Sequence, residues 1–285
     1  MKIAFWSPLH GTGASSSLLA FGVACSYLKA KKIIVTQTHF NLNNLERPLL
    51  GMSDSKELFR DTGLDAIMRH FKSGNITEEH IRDCSIKIHD YLYLMAGTGI
   101  PNREGFENNI ARSMLVHILS VMENYFDIVL VDTNSGNNEY SMKIIDECDV
   151  VVVSMRQNRF FLEKFFDEGL FENKKVFYLF SDYDPDSKYS LFNIRHLYKN
   201  INKSNSAYLP HDTGYMDAVS DGRVRKYISS NLENDIGYPD DFFTQLKNFV
   251  DLFLKFSAIK KGGADDRFSD SDSTASCSGA TSSDH

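Results

Sequence analysis

The sequence predicts an α/β fold: a doubly wound, mostly parallel sheet with helices on both faces. Three observations carry this. The runs DIVLVD (Asp127 to Asp132), VVVVS (Val150 to Ser154) and VFYLFS (Val176 to Ser181) are almost continuously apolar, as strands covered on both faces are. Stretches of helical period separate such runs, and this alternation marks parallel βαβ units. The first strand also runs straight into a loop with two glycines, Gly11 and Gly13, and then into a helix start. In open parallel sheets, ligands bind at the carboxyl ends of the strands.

In chain order, Ile3 to Trp6 is a short buried strand, and Ser16 to Ala30 a helix with Leu18, Leu19, Gly22 and Cys25 or Ser26 spaced to pack on a sheet. Lys32 to Gln37 is the second strand, Asn41 to Leu50 an exposed connection, and Asp65 to Phe71 and Glu78 to Cys84 are helices. Tyr91 to Ala96 makes a third strand ending at Gly97 and Gly99, and Phe106 to Tyr125 a long amphipathic helix. The three apolar strands named above follow, with a helix over Arg159 to Gly169 between the last two. The chain then turns through His211 to Tyr227 and ends its folded part in a phenylalanine-rich helix, Asp240 to Ile259.

A length of 285 residues, 42% hydrophobic and 24% charged, suits one domain over residues 1–261. Residues 262–285 form a Ser/Asp-rich tail with too little apolar content to order itself. The net charge is -7, and the tail holds five aspartates against one arginine, so the body is only mildly acidic. Broad attraction to nucleic acid or anionic lipid is not built into such a chain, although a local basic patch stays open. Cys25, Cys84, Cys148 and Cys277 are scattered without a CxxC pair, which points to isolated thiols in a reducing compartment. No apolar run reaches spanning length and the chain opens on a strand, so a cytoplasmic location is expected.

The loop HGTGASSS (His10 to Ser17) carries the chemistry. Its glycines and the unpaired N–H groups of the following helical turn make an anion cradle without a charged side chain. It approaches the phosphate-loop pattern G-x-x-x-x-G-K-[ST], but Ala14 stands where lysine is wanted; Ser15 and Ser16 keep the magnesium-ligating hydroxyl. A plainer reading also fits: a strand-to-helix turn with Ser15 to Ser17 as helix caps. Asp132, closing its strand, suits either a metal site or a cap. His10 is either a phosphate donor or a turn residue. Asp182, Asp184 and Asp186 resemble a calcium loop but lack its glycine and final glutamate, which leaves a polar turn.

Three blocks, HGTGASSS, VLVDTNSG (Val129 to Gly136) with DECDVVVVS (Asp146 to Ser154), and LPHDTGYMDAVSDGRVRKYI (Leu209 to Ile228), together resemble the ParA/MinD superfamily of deviant P-loop ATPases. Within it the chain is most similar to the atypical branch of TadZ and CpaE-like pilus-assembly proteins, up to about Ile259. The resemblance implies an ATP and Mg2+ site at Gly11, Thr12, Gly13, Ala14, Ser15 and Ser16, with Ser15 and Asp132 toward the metal and Pro210, His211 and Asp212 beside the adenine. It also exposes the losses. The two family lysines fall on Leu9 and Ala14, and the two aspartates that close the second strand fall on Thr36 and Thr38.

Losing one preorganised charge in phosphoryl transfer commonly costs on the order of 10²- to 10³-fold in rate. The losses together imply weak or absent ATP hydrolysis with residual nucleotide binding. What the resemblance further implies is a homodimer that serves as a localisation or scaffold factor, recruited to the membrane or cell pole, for a membrane-associated assembly such as a Tad-type pilus. One alternative is a slow ATPase whose lysines are replaced by Arg156, Arg159 or a partner's residue. Another is a DNA-partitioning factor, which the acidic balance disfavours. The stripe Phe242, Leu246, Phe249, Phe253 and Phe256 invites comparison with the membrane helix of MinD proteins, but the acidic flanks favour packing on the sheet.

Overall fold

The strands are β1 (Lys2–Trp6), β2 (Ile33–Gln37), β3 (Ile86–His89), β4 (Leu92–Met95), β5 (Ile128–Asp132), β6 (Val150–Met155), β7 (Val176–Tyr183) and β8 (Ser206–Pro210). They form one sheet in the order β3-β4-β2-β5-β1-β6-β7-β8. Every pairing is parallel except β3 with β4. The order reverses direction at β1, and the crevice this opens at the strand carboxyl ends is where open α/β sheets bind ligands. The computed structural model describes residues 1–40, 44–51, 61–100, 102, 104–106, 112–233 and 238–259.

Described helices are α1 (Ala14–Lys29), α2 (Glu46–Leu50), α3 (Gly63–Ser73), α4 (Glu78–Asp83), α5 (Arg112–Glu123), α6 (Glu139–Asp146), α7 (Arg159–Asp167), α8 (Leu191–Leu197), α9 (Thr213–Ser220), α10 (Val224–Asn231) and α11 (Phe242–Ala258). Alternate residues of the central strands feed two cores. Ala4 and Trp6 face one, with Ile67, Leu115, Ile144 and Leu162. Ile3 and Phe5 face the other, with Leu18, Phe21, Phe249 and Phe253. The near-continuous apolar strands are thus covered on both sides, which is the doubly wound α/β architecture expected.

Helix α1 lies close on the sheet because Gly22 has no side chain there; a Cβ at Gly22 would come within 3.0 Å of the Leu130 methyl. The aromatic stripe of α11 packs inward. Phe249 and Phe253 meet Phe21 at ring-centroid distances of 5.1 and 5.2 Å and Phe177 at 5.5 and 5.3 Å. Among the described residues no helix is long and apolar enough to cross a membrane. Cys25, Cys84 and Cys148 are buried free thiols, and burial pushes Cys25 and Cys148 up to about 12.

Several expectations change. Asn41 to Leu50 is not simply an exposed connection: Leu45, Glu46 and Leu49 are buried, and α2 packs on α9 and α10. Tyr91 to Ala96 holds the fourth strand, since the short β3 precedes it and pairs antiparallel to it. Strand β8 was not expected, nor were α6 and α8. The long helix from Phe106 is described as helix over Arg112–Glu123. Residues 107–111 and the tail from Gly262, with Lys260 and Lys261, lie outside the described residues.

Candidate functional site

The loop after β1 is held by its own polar groups. Ser7 Oγ donates to Leu9 O at 2.6 Å and Thr12 Oγ1 to the same oxygen at 3.2 Å. Gly11 and Gly13 adopt φ of 75° and 86°, the left-handed region that glycine occupies without strain. Gly13 is also the N-cap of α1, with no side-chain cap. The serines are therefore not caps: Ser15 Oγ donates to Asp132 Oδ2 at 2.7 Å, and Ser17 Oγ lies 2.8 Å from Ser181 Oγ. The first intrahelical bond is Ser17 N to Gly13 O at 2.8 Å. The N–H groups of Ala14, Ser15 and Ser16 precede it, in a helix end that favours anions.

Asp132 stands behind this loop at the end of β5, 1% exposed. His39 Nε2 lies 3.3 Å from Asp132 Oδ2, the oxygen that already accepts from Ser15. Asp132 Oδ1 is buried with no hydrogen-bond partner among the described residues. A buried carboxylate oxygen left so is costly unless something else satisfies it. The Ser15 hydroxyl and the Asp132 carboxylate are the oxygen donors a magnesium ion takes alongside phosphate oxygens, so this pair fits such an ion. His39 gave no sign in the sequence beyond its place two residues past β2, at the carboxyl edge where ligands bind.

Thr36 and Thr38 carry no carboxylate to the site. Thr38 is spent on structure, its N–H and Oγ1 both donating to Asp132 O at 2.9 and 3.3 Å. Of the two arginines past β6, only one reaches the loop: an Arg156 guanidinium N–H donates to Gly11 O. Arg159 pairs instead with Glu163 one turn along α7, Nε to Oε1 at 2.6 Å, and so does not stand in for a loop lysine. Gly11, Thr12, Gly13, Ala14, Ser15 and Ser16 all line one cavity of about 220 Å³, together with the exposed His10, the buried His39 and the half-buried Asn44.

A second cavity of about 210 Å³ adjoins it, sharing Gly13 and Ser16 and walled by Pro210, His211, Asp212 and Phe242. The structure thus brings Pro210 to Asp212 against the loop from the far end of the sheet. His211 Nδ1 lies 2.7 Å from Asp182 Oδ1, where Asp182 sits at φ 54°. Asp212 is the N-cap of α9 and accepts from Tyr215 N at 2.5 Å and from Tyr227 Oη at 2.8 Å. Burial and the Asp212 carboxylate push the Tyr227 phenol above its ordinary value. In the acidic run, Asp184 Oδ1 accepts from Asp186 N at 2.9 Å, a plain turn contact.

No protein-family model and no curated protein matches the sequence. Solved structures do. A ParA family ATPase from Chlorobium tepidum is similar at 15% identity and a TM-score of 0.67, covering 89% of this chain and 98% of that one. MinD of Pyrococcus horikoshii, solved with Mg-ADP, is similar at 14% identity and a TM-score of 0.61, covering 90% and 98%. The MinC:MinD cell division complex of Aquifex aeolicus gives 13% identity, a TM-score of 0.60 and coverage of 88% and 96%. At these identities the likeness is one of fold: the chain has the fold of the ParA- and MinD-type P-loop ATPases.

Proposed function

We propose that residues 1–261 form a degenerate ParA/MinD-type unit of the TadZ and CpaE-like branch. It binds ATP and Mg2+ weakly, hydrolyses ATP slowly or not at all, and acts as a homodimeric localisation or scaffold factor for a membrane-associated assembly such as a Tad-type pilus. The observation that carries this reading is the contrast within one site. Ser15 and Asp132 are joined at 2.7 Å with Asp132 Oδ1 still unpartnered, while Ala14, Thr36 and Thr38 stand where the resemblance wants a lysine and two carboxylates. Metal and backbone can still hold a triphosphate; the charges that stabilise its transition state are missing. The Mg-ADP in the Pyrococcus MinD structure and the MinC partner of the Aquifex protein support a nucleotide and a protein partner here.

Calorimetric titration with ATP and magnesium, with light scattering on the same samples, tests this. The expected result is weak binding accompanied by dimer formation, with phosphate release near background. No binding at millimolar ATP with an unchanged mass overturns the nucleotide part. A slow ATPase switch is the alternative reading of the same site, and turnover that disappears in Asp132→Ala establishes it in place of the scaffold. Salt-dependent binding to duplex DNA would favour a partitioning role instead.

A further inference from the structure

The loop lacks both lysines that the resemblance calls for, yet a cation is bonded to it. Strand β6 runs parallel to β1 with Val153 opposite Trp6. Three residues past each of these come Arg156 and Leu9, and the two side chains line the same groove beside the loop. The register therefore delivers a guanidinium to the flank of the position where one lysine is missing. An Arg156 N–H donates to Gly11 O.

We propose that Arg156 is the phosphate-binding cation of this loop, supplied by a neighbouring strand and directed at the terminal phosphate of a nucleoside polyphosphate. This rests on the nucleotide reading above and adds to it the residue that grips the ligand. Arg156 has no ion-pair partner among the described residues, whereas its neighbours Arg159 and Lys164 face Glu163 and Glu168. A guanidinium carries five N–H donors in a planar fork, so the contact to Gly11 O leaves several for an anion. A phosphate group is also the stronger acceptor, since it carries the opposite charge and accepts from the planar fork two bonds at a time, whereas the Gly11 carbonyl is neutral.

The two cavities set the direction of the ligand. Gly13 and Ser16 border the cavity of Pro210 and His211, but Gly11 does not. With the base on the Pro210 side, the phosphate chain runs from Gly13 toward Gly11, the residue whose carbonyl oxygen holds Arg156 from the neighbouring groove.

Calorimetry with ATP and with ADP, each with magnesium, on the whole chain and on Arg156→Ala, Arg156→Lys and Arg159→Ala is the test. Arg156→Ala is expected to weaken ATP binding about 10- to 100-fold and ADP binding less. Arg156→Lys recovers part of the loss, because a point charge replaces the fork. Arg159→Ala binds as the unchanged chain does. ATP affinity of Arg156→Ala within about twofold of the unchanged chain, equal losses for ATP and ADP, or an equal loss in Arg159→Ala overturns this assignment alone. Absence of binding by the unchanged chain overturns it together with the nucleotide reading.

Discussion

The two cavities that meet at Gly13 and Ser16 differ in how far their polar groups are already spent. On the phosphate side, Asp132 Oδ1 has no partner among the described residues, and the first-turn N–H groups of α1 precede any intrahelical bond. On the Pro210 side, Asp212 is occupied by Tyr215 N and Tyr227 Oη, and His211 by Asp182. The first side keeps capacity for a ligand; in the second, Asp212 has been drafted into holding α9 and α10, and His211 is tied to β7. Any contact to a base there falls to the backbone and to the walls formed by Pro210 and Phe242. The same fold can keep one half of a site open while it closes the other into structure.

Three substitutions break or sharpen that contrast. The largest effect is expected from Asp132→Ala. ATP binding becomes insensitive to magnesium and falls at least about tenfold, the lower end of what even an outer partner of a metal is worth. Titration in magnesium and then in EDTA reads this directly, and a magnesium dependence that survives in Asp132→Ala would place the metal elsewhere. Next comes Ala14→Lys, which restores the ammonium at a position that already lines the cavity. It should tighten ATP binding about tenfold, measured by the same titration. No gain would mean that the loop's backbone no longer presents phosphate to that side chain.

The smallest effect on binding belongs to Asp212→Ala, whose cost appears in stability. Losing the cap of α9 costs about 1 kcal/mol, and stranding the Tyr227 hydroxyl adds about 1 kcal/mol more. Denaturant melts should show this loss while ATP affinity stays within about twofold. A large fall in affinity without a loss of stability would show that the carboxylate itself touches the base.

The parallel core was legible because β5, β6 and β7 are apolar on both faces, so that their near-continuous apolar runs sufficed. The elements at the margins were not. Strand β3 (IKIH) is short and only half-buried, and β8 (SAYLP) ends in proline, so neither carries an apolar run. Helix α2 hides in a polar segment, and its burial comes from α9 and α10 packing over it, which no local pattern encodes. Within the site, the glycines, Ser15 and Asp132 were readable from spacing. His39 and the choice of Arg156 over Arg159 were not, because each depends on strand register. Thr38 donates to Asp132 O and so carries the next residue to that carboxylate, and the pairing of β6 with β1 carries Arg156 to the loop.

Trp6 is the single tryptophan of the chain and the last residue of β1. It is fully buried, edge-on to Phe171 at 5.0 Å, and its indole N–H donates to Gly136 O at 3.1 Å. Gly136 N in turn donates to Ser7 O at 2.9 Å, at the root of the glycine loop. The chain therefore carries an intrinsic fluorophore one residue from the loop, wired to it by two hydrogen bonds and free of background from any other indole. A shift of the loop on ligand entry alters the field around that ring, so emission wavelength and quenching follow the loop in real time in unlabelled protein.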